Sequence, residues 1–345
     1  MSNHKSRKIL VTGGAGFIGS NFILYWLKKY PNDEIINLDL LTYAGNLNNL
    51  TTVSSLSNYH FVKGDINDFN LVAKISQNLD FMVHFAAESH VDRSILNPQI
   101  FLKTNILGTQ ILLEACLKNK VKRFHHISTD EVFGSLACDS RNKFNLQTCY
   151  DPRSPYSASK ASSDHLVRAY GETYGLSYTL TNCSNNYGPY QFPEKLFGLA
   201  ITNLIEDKKV PIYGNGLNIR DWLFVTDHCR AIESVLLNGK DKETYLVGGL
   251  TTDVTNLQVV KMIIKLMKKP FSSVEMIKDR LGHDWRYSVD WSKIKQDLGW
   301  QPSVSLEEGL KLTIKWYQEN QAWWQPLKEK AKVFFKKNYH FILKK

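Results

Sequence analysis

The sequence predicts an α/β fold: a doubly wound parallel sheet with a smaller α+β lobe. Three observations predict it. Short aliphatic runs alternate with segments of helical apolar spacing through residues 1–190. The first run ends in a glycine cluster that opens directly into a helix. Past Pro193 the alternation gives way to short strands mixed with helices.

The chain has 345 residues, enough for one large domain or two moderate ones. Apolar residues make up 43% and charged residues 22%, ordinary proportions for a soluble globular protein. No apolar run approaches the roughly 18–20 residues that span a bilayer. Cys116, Cys138, Cys149, Cys183 and Cys229 are scattered, odd in number and without a CxxC spacing. They read as reduced thiols of a cytoplasmic protein with no metal site. The formal net charge is +10, much of it in lysines crowded near the C-terminus. Residues 331–345 read as a solvated basic tail, and a basic surface also steers an anionic small substrate. Neither nucleic acid nor membrane insertion is expected.

The first strand, residues 8–12, runs into Gly13-Gly14-Ala15-Gly16-Phe17-Ile18-Gly19. Gly14, Gly16 and Gly19 fit G-x-G-x-x-G. Gly14 is expected to permit the tight turn, Gly16 to admit a pyrophosphate, and Gly19 to let the helix pack closely. Helix N–H groups and the helix dipole would attract the phosphates. The second strand, residues 34–39, ends in Asp39, about 20 residues past the glycines, where a carboxylate takes ribose hydroxyls and disfavours a 2′-phosphate. A Rossmann domain binding NAD rather than NADP follows.

The alternation continues with a strand at 59–63, then Gly64-Asp65-Ile66. Asp65 could reach the adenine, or could cap a helix. A strand at 81–85 leads to Ala86-Ala87-Glu88-Ser89, small residues that let backbone run beside a cofactor. A helix spans about 98–117, and a strand at 123–127 delivers Ser128-Thr129-Asp130-Glu131 to the end of the sheet where ligands sit. Two adjacent carboxyls there are costly and do nothing for packing.

Tyr156 and Lys160 are i and i+4 on the next helix, so they share a face. A free tyrosine has a pKa of about 10 and is a poor base at neutral pH. A lysine one turn away and a cationic nicotinamide would favour its phenolate. Strands at 177–183, 210–213 and 244–247 and helices at about 193–206, 256–268 and 306–317 complete the chain. Residues 1–190 read as the NAD-binding domain, with about 215–250 returning to it, and 191–330 as the smaller α+β lobe.

These motifs resemble the extended short-chain dehydrogenase/reductases and, within them, the dTDP-glucose 4,6-dehydratases. The resemblance runs from residue 8 to about 328 and includes Leu41-Thr-Tyr-Ala-Gly-Asn46, Ser128-Thr-Asp-Glu-Val-Phe-Gly134 and Arg220-Asp-Trp222. It implies cofactor contacts at Phe17, Ile18, Asp39, Thr42, Asp65, Ile66, Ala86, Ala87, Thr104, Tyr156, Lys160 and Asn186. It implies substrate contacts at Ser89, Thr129, Asn185, Lys195, Leu196, Pro211, Ile212, Tyr213, Arg220, Asn256, Arg280, His283 and Tyr339. Arg220 and Arg280 suit a diphosphate. The chain departs from the family at Leu281 and Trp285, and the segment 137–150 lacks the acids usual there, as a surface segment can.

The implied reaction is NAD-dependent dehydration of dTDP-glucose to dTDP-4-keto-6-deoxyglucose, a lyase step of deoxysugar biosynthesis. Tyr156 takes the O4 proton as hydride leaves C4. Glu131 removes the acidified C5 proton while neutral Asp130 protonates the departing 6-hydroxyl. Hydride then returns to C6, so NAD is regenerated. Thr129 helps polarise the ketone. Opposite protonation states explain why two carboxyls are wanted side by side. A UDP-glucose 4,6-dehydratase, a nucleotide-sugar 4-epimerase or decarboxylase, and a catalytically silent NAD-binding regulator are the alternatives. The family also implies a homodimer through the helices near 98–117 and 156–174.

Overall fold

Seven parallel strands form the central sheet of the computed structural model, which describes residues 6–250, 253–279 and 282–344, with side chains as far as 333. They are β1 (Lys8–Thr12), β2 (Glu34–Asp39), β3 (Tyr59–Lys63), β4 (Phe81–His84), β5 (Arg123–Thr129), β6 (Tyr178–Cys183) and the late strand Glu243–Val247. Across the sheet the late strand comes first, then β6, β5, β4, β1, β2 and β3. The chain winds outward from β1 to β3, recrosses, and winds the other way from β4. The reversal lies between β1 and β4, where Thr12 pairs with His84. Ligands of open α/β sheets bind outside the strand ends at such a reversal.

Both sheet faces are covered, so the strands read as unbroken apolar runs. Leu10 points to one face with Leu38, Met82, Leu112 and Phe124. Ile9 and Val11 point to the other with Phe22, Trp26, Ile35 and Val83. Leu10 is fully buried, so Leu10→Ala would cost about 2–5 kcal/mol.

The helical run Pro98–Asn119 is long and apolar enough to cross a membrane by length and composition. Here Leu112, Leu113, Ala115 and Cys116 are buried against the sheet. Its middle, Leu102–Leu107, is a wide π-type turn, a feature often found at functional sites. In that turn Asn105 donates to the Glu88 carbonyl at 2.9 Å and to Ser159 Oγ at 2.8 Å. It thereby ties the loop after β4 to the helix Pro155–Tyr174.

A second core gathers Tyr187, Phe197, Ile201, Trp222, Val260, Ile263, Leu310 and Trp324. Around it lie the helices Leu196–Ile205, Asn256–Leu266, Leu306–Glu319 and Gln321–Lys344 and three small strand pairs. The first of these helices begins later than its apolar pattern suggests, because Lys195 is extended at the N-cap. Between the lobe's segments the chain returns to the sheet. The helix Val225–Asn238 places Cys229, Ile232 and Leu236 against the β1 face, and Glu243–Val247 pairs with β6. The segment 137–150 lies on the surface, anchored by the buried Phe144.

Candidate active site

One cavity of about 740 Å³ opens over the strand ends at the β1/β4 reversal and extends to the second lobe. A volume of this order suits a small-molecule ligand.

Its first half is the glycine loop. Gly13 makes the tight turn, at φ +70°, where a Cβ would lie 2.6 Å from the Ala86 main chain. Sequence spacing assigns that turn to Gly14. Gly14 instead packs against Asn37 and Ile23, where a Cβ would meet side chains at 2.3 and 2.5 Å. A Cβ on Gly19 would sit 2.5 Å from the Gly13 carbonyl, so Gly19 is what lets the helix approach the loop. Gly16 caps the helix Phe17–Lys29 without a side chain. Its first turn is therefore open to a phosphate.

Asp39 accepts from the N–H groups of Ala15 and Leu41 at 2.9 and 2.8 Å. Burial raises its pKa, against those two bonds. Asp65 does not cap a helix. It accepts from Asn67 N at 2.9 Å and lines the cavity, while Asp68 caps the helix Phe69–Ile75. Thr42, Ile66, Ala86, Ala87, Thr104 and Asn186 line the same half with Phe17 and Ile18. Asn186 also meets His228 Nδ1 through its Oδ1 at 2.9 Å. The cradle of glycines, the open helix end and the carboxylate at the end of β2 fit a dinucleotide.

The middle of the cavity holds Thr129, Glu131, Tyr156 and Lys160. A capping box of Ser154 and Ser157, each side chain accepting from the other's N–H at 3.0 Å, starts the helix that carries Tyr156 and Lys160. Thr129 Oγ1 caps the short turn Asp130–Phe133 by accepting from Glu131 N at 3.2 Å, and it donates to Asp130 Oδ1 at 3.4 Å. Asp130 is fully buried behind the wall rather than lining it, and its Oδ2 has no hydrogen-bond partner. Burial, then Glu131 and Asp221, hold its carboxyl well above the usual range.

Tyr156 is also pushed up, first by burial and then by Glu131 and Cys183. The residues around it thus oppose the phenolate that the i, i+4 spacing suggests. Lys160 Nζ donates to the Ile127 carbonyl at 2.8 Å, with His126 Nε2 at 3.3 Å. The cationic ring of an oxidised nicotinamide acts in the phenolate's favour.

The far half is lined by Ser89, Asn185, Lys195, Leu196, Pro211, Ile212, Tyr213, Arg220, Asn256 and His283. Asn185 Oδ1 and Asn256 Oδ1 are buried without partners, as acceptors awaiting a ligand's donors are. Arg220 stacks over Tyr287 at 4.2 Å and donates to the Asp284 carbonyl at 3.0 Å. His283 Nδ1 meets Asp279 at 2.6 Å. Arg280 lies outside the described residues, as does the side chain of Tyr339.

Some neighbours of the site escape sequence reasoning. Asp164 is fully buried and meets His126 Nε2 at 3.3 Å, Ser128 Oγ at 2.9 Å and Tyr150 Oη at 2.8 Å. It continues the Tyr156, Lys160 series by four residues, a signal that could have found it. Burial raises its pKa, but His126, Lys160 and Ser128 outweigh this and leave it lowered. Tyr43, Glu194 and Tyr287 line the cavity too, though none of the three is among the contacts the resemblance implies.

The family model for GDP-mannose 4,6 dehydratase matches residues 10–313. A dTDP-glucose 4,6-dehydratase of Streptomyces niveus is 48% identical over 325 residues, covering 93% of this chain and 96% of its own. The chain belongs to the dTDP-glucose 4,6-dehydratase family. An Escherichia coli member is 49% identical, covering 92% of this chain and 95% of its own. The family's DesIV from Streptomyces venezuelae, solved with NAD and TYD bound, superposes with a TM-score of 0.90 at 48% identity, covering 93% of this chain and 99% of that one. A UDP-glucose 4-epimerase of Thermotoga maritima shares the architecture at 30% identity and a TM-score of 0.84, covering 91% and 99%. Family and epimerase share the fold, so the site must distinguish them.

Proposed function

We propose that this chain is an NAD-dependent lyase that dehydrates dTDP-glucose to dTDP-4-keto-6-deoxyglucose in deoxysugar synthesis. The observation that carries this reading is that one cavity holds the Tyr156/Lys160 pair and, beside it, a carboxyl pair in unlike surroundings. Glu131 lines the cavity, whereas Asp130 is buried and biased toward its neutral acid. Epimerisation at C4 needs the first pair only.

When bound, NAD supplies the acceptor and then the donor of one hydride. Tyr156 takes the proton from O4, and Thr129 steadies that oxygen as the ketone forms. Lys160, anchored on the Ile127 carbonyl, holds positive charge beneath the pair. Glu131 takes the proton from C5. Asp130 gives its proton to O6 as water leaves, once its carboxyl turns from behind the wall into the cavity. Glu131 then returns a proton to C5. Phosphates at the far half meet Arg220 and His283, with Lys195 nearby, and the sugar lies between Ser89, Thr129 and Asn185.

The assembly we propose is a homodimer. Ile100, Leu102 and Leu107 are 40%, 47% and 56% exposed on a helical run whose other side is buried, an apolar face that a second copy would cover. The free cysteines, two of them exposed, suit a reducing cytoplasm.

The test is incubation with dTDP-glucose, UDP-glucose and GDP-mannose in parallel, followed by mass analysis. Loss of one water from dTDP-glucose alone is expected. Loss from another sugar in preference overturns the substrate, and an isomer of unchanged mass overturns the reaction.

A further inference from the structure

The loop over Asp39 is one wall of the dinucleotide half: Leu40, Thr42, Tyr43, Ala44 and Gly45 all face the cavity. Its inner edge is set by Asp39, which accepts from Leu41 N, and by Asn46, whose N–H donates to the Ala15 carbonyl at 2.9 Å. A ligand seated on the glycine loop is enclosed between that loop and this one. The contacts that hold this wall in place therefore bear on release.

The loop is held at two places, both reaching the other lobe. At the first, the Arg93 guanidinium lies 3.9 Å from the centre of the Tyr43 ring and pairs with Glu194 at 3.0 Å. Arg93 is on the short helix after β4, Tyr43 on the loop and Glu194 in the segment that leads to Leu196–Ile205. Three separate stretches therefore meet at one cation. The Glu194 side chain is 1% exposed, so the pair is desolvated and breaking it is expensive. At the second, Tyr43 and Ala44 pack with Trp323 against Phe192, Leu327 and Ala331. Trp323 Nε1 donates to Asn49 Oδ1 at 2.8 Å, and the Asn49 amide donates to the Ala15 carbonyl at 2.9 Å. The helix Gln321–Lys344 is thus coupled to the glycine loop through one asparagine. That helix lies beyond the residues 10–313 matched by the family model.

We propose that Arg93, Glu194 and Trp323 are positioning residues of a strap that locks the loop 40–46 over the dinucleotide and keeps NAD on the enzyme between turnovers. The strap spans both lobes, so the cofactor leaves only when the loop parts from the second lobe. A hydride that is borrowed and returned needs this: a cofactor lost after the first step strands a keto sugar. Retention is read without turnover, so the inference stands or falls apart from the proposed substrate.

The experiment uses full-length protein loaded with NAD, passed through gel filtration and dialysed. NAD content is measured after acid release, and the dissociation rate is measured by trapping released NAD with a glycohydrolase. Trp323→Phe keeps the packing and removes the bond to Asn49, and Arg93→Ala removes the cation. Each is expected to raise the dissociation rate about tenfold or more, the equivalent of ~1.4 kcal/mol. Added NAD restores full occupancy. Thermal unfolding in saturating NAD reports folding independently. Wild-type dissociation rates in both variants overturn the strap. So does a loss of NAD that added cofactor does not restore.

Discussion

Lys160 Nζ donates to the main-chain carbonyl of Ile127 at 2.8 Å, which fastens the helix carrying Tyr156 to the strand that ends at Thr129. Burial holds this lysine down to about 8, while Asp164 and Cys183 pull it upward. Around it are Asp164 on its own helix, His126 on β5, His84 on β4 and Cys183 on β6, while Asp130 and Glu131 act on Tyr156 one turn before it. Sugar oxidation that needs a charged Lys160 loses rate as pH rises through about 8. Asp164→Asn removes a carboxylate that supports the charge, so this limb should move to lower pH. The pH profile of single-turnover NAD reduction checks it. An unmoved limb with the rate alone reduced would give Asp164 a purely structural part.

Tyr156→Phe removes the hydroxyl placed for O4. Bound NAD should then stay oxidised on adding substrate, with absorbance at the NADH band as the measure. Reduction at the wild-type rate would assign the base elsewhere.

Glu131→Gln should slow elimination by about 10²–10⁴, the usual weight of general acid–base catalysis. Oxidation continues, so reduced cofactor builds up during turnover. Asp130→Asn should slow the same step, because its acid is the proton source for the departing water. Stopped-flow absorbance separates the steps. Fast turnover without build-up in Glu131→Gln removes that residue from the mechanism.

Four buried histidines predict an acid limit to stability. His84, His125, His126 and His228 all titrate below their ordinary 6.5, His126 at about 4 and His228 at about 3, in each case chiefly through burial. The unfolded chain binds protons near pH 6.5 while the folded chain refuses them, so the unfolded state holds more protons below that pH. Stability is full above about pH 6.5 and is lost as pH falls toward 4. Urea midpoints between pH 7 and 4.5 should decline steadily, and a flat series would contradict this.

Gly13→Ala places a Cβ 2.6 Å from the Ala86 backbone in a left-handed conformation that itself costs roughly 1–2 kcal/mol. The β1 and β4 ends must part, so the thermal midpoint and NAD content should both fall. Wild-type values of both would mean the loop relaxes freely.

The sheet and its dinucleotide half were legible because their signals are local. A glycine's missing side chain, an acid at a strand end and an i, i+4 pair are all properties of short stretches. Even there, the tight turn fell to Gly13 rather than Gly14, since G-x-G-x-x-G spacing does not say which glycine needs the positive φ. What stayed hidden depends on chain segments meeting. Arg93 has a part only because Tyr43 and Glu194 surround it, and Trp323 only because Asn49 takes its N–H. The spacing of Asp130 and Glu131 likewise says nothing of their unequal burial: Asp130 is fully buried near Arg220 and Asp221, whereas Glu131 lines the cavity.

The most direct test is turnover of dTDP-glucose in deuterated water with product analysis by mass and NMR. If Glu131 removes and restores the C5 proton, the product has lost one water, carries one solvent deuteron at C5, and leaves the cofactor oxidised. A product of unchanged mass, or a dehydrated product with protium at C5, would contradict the account.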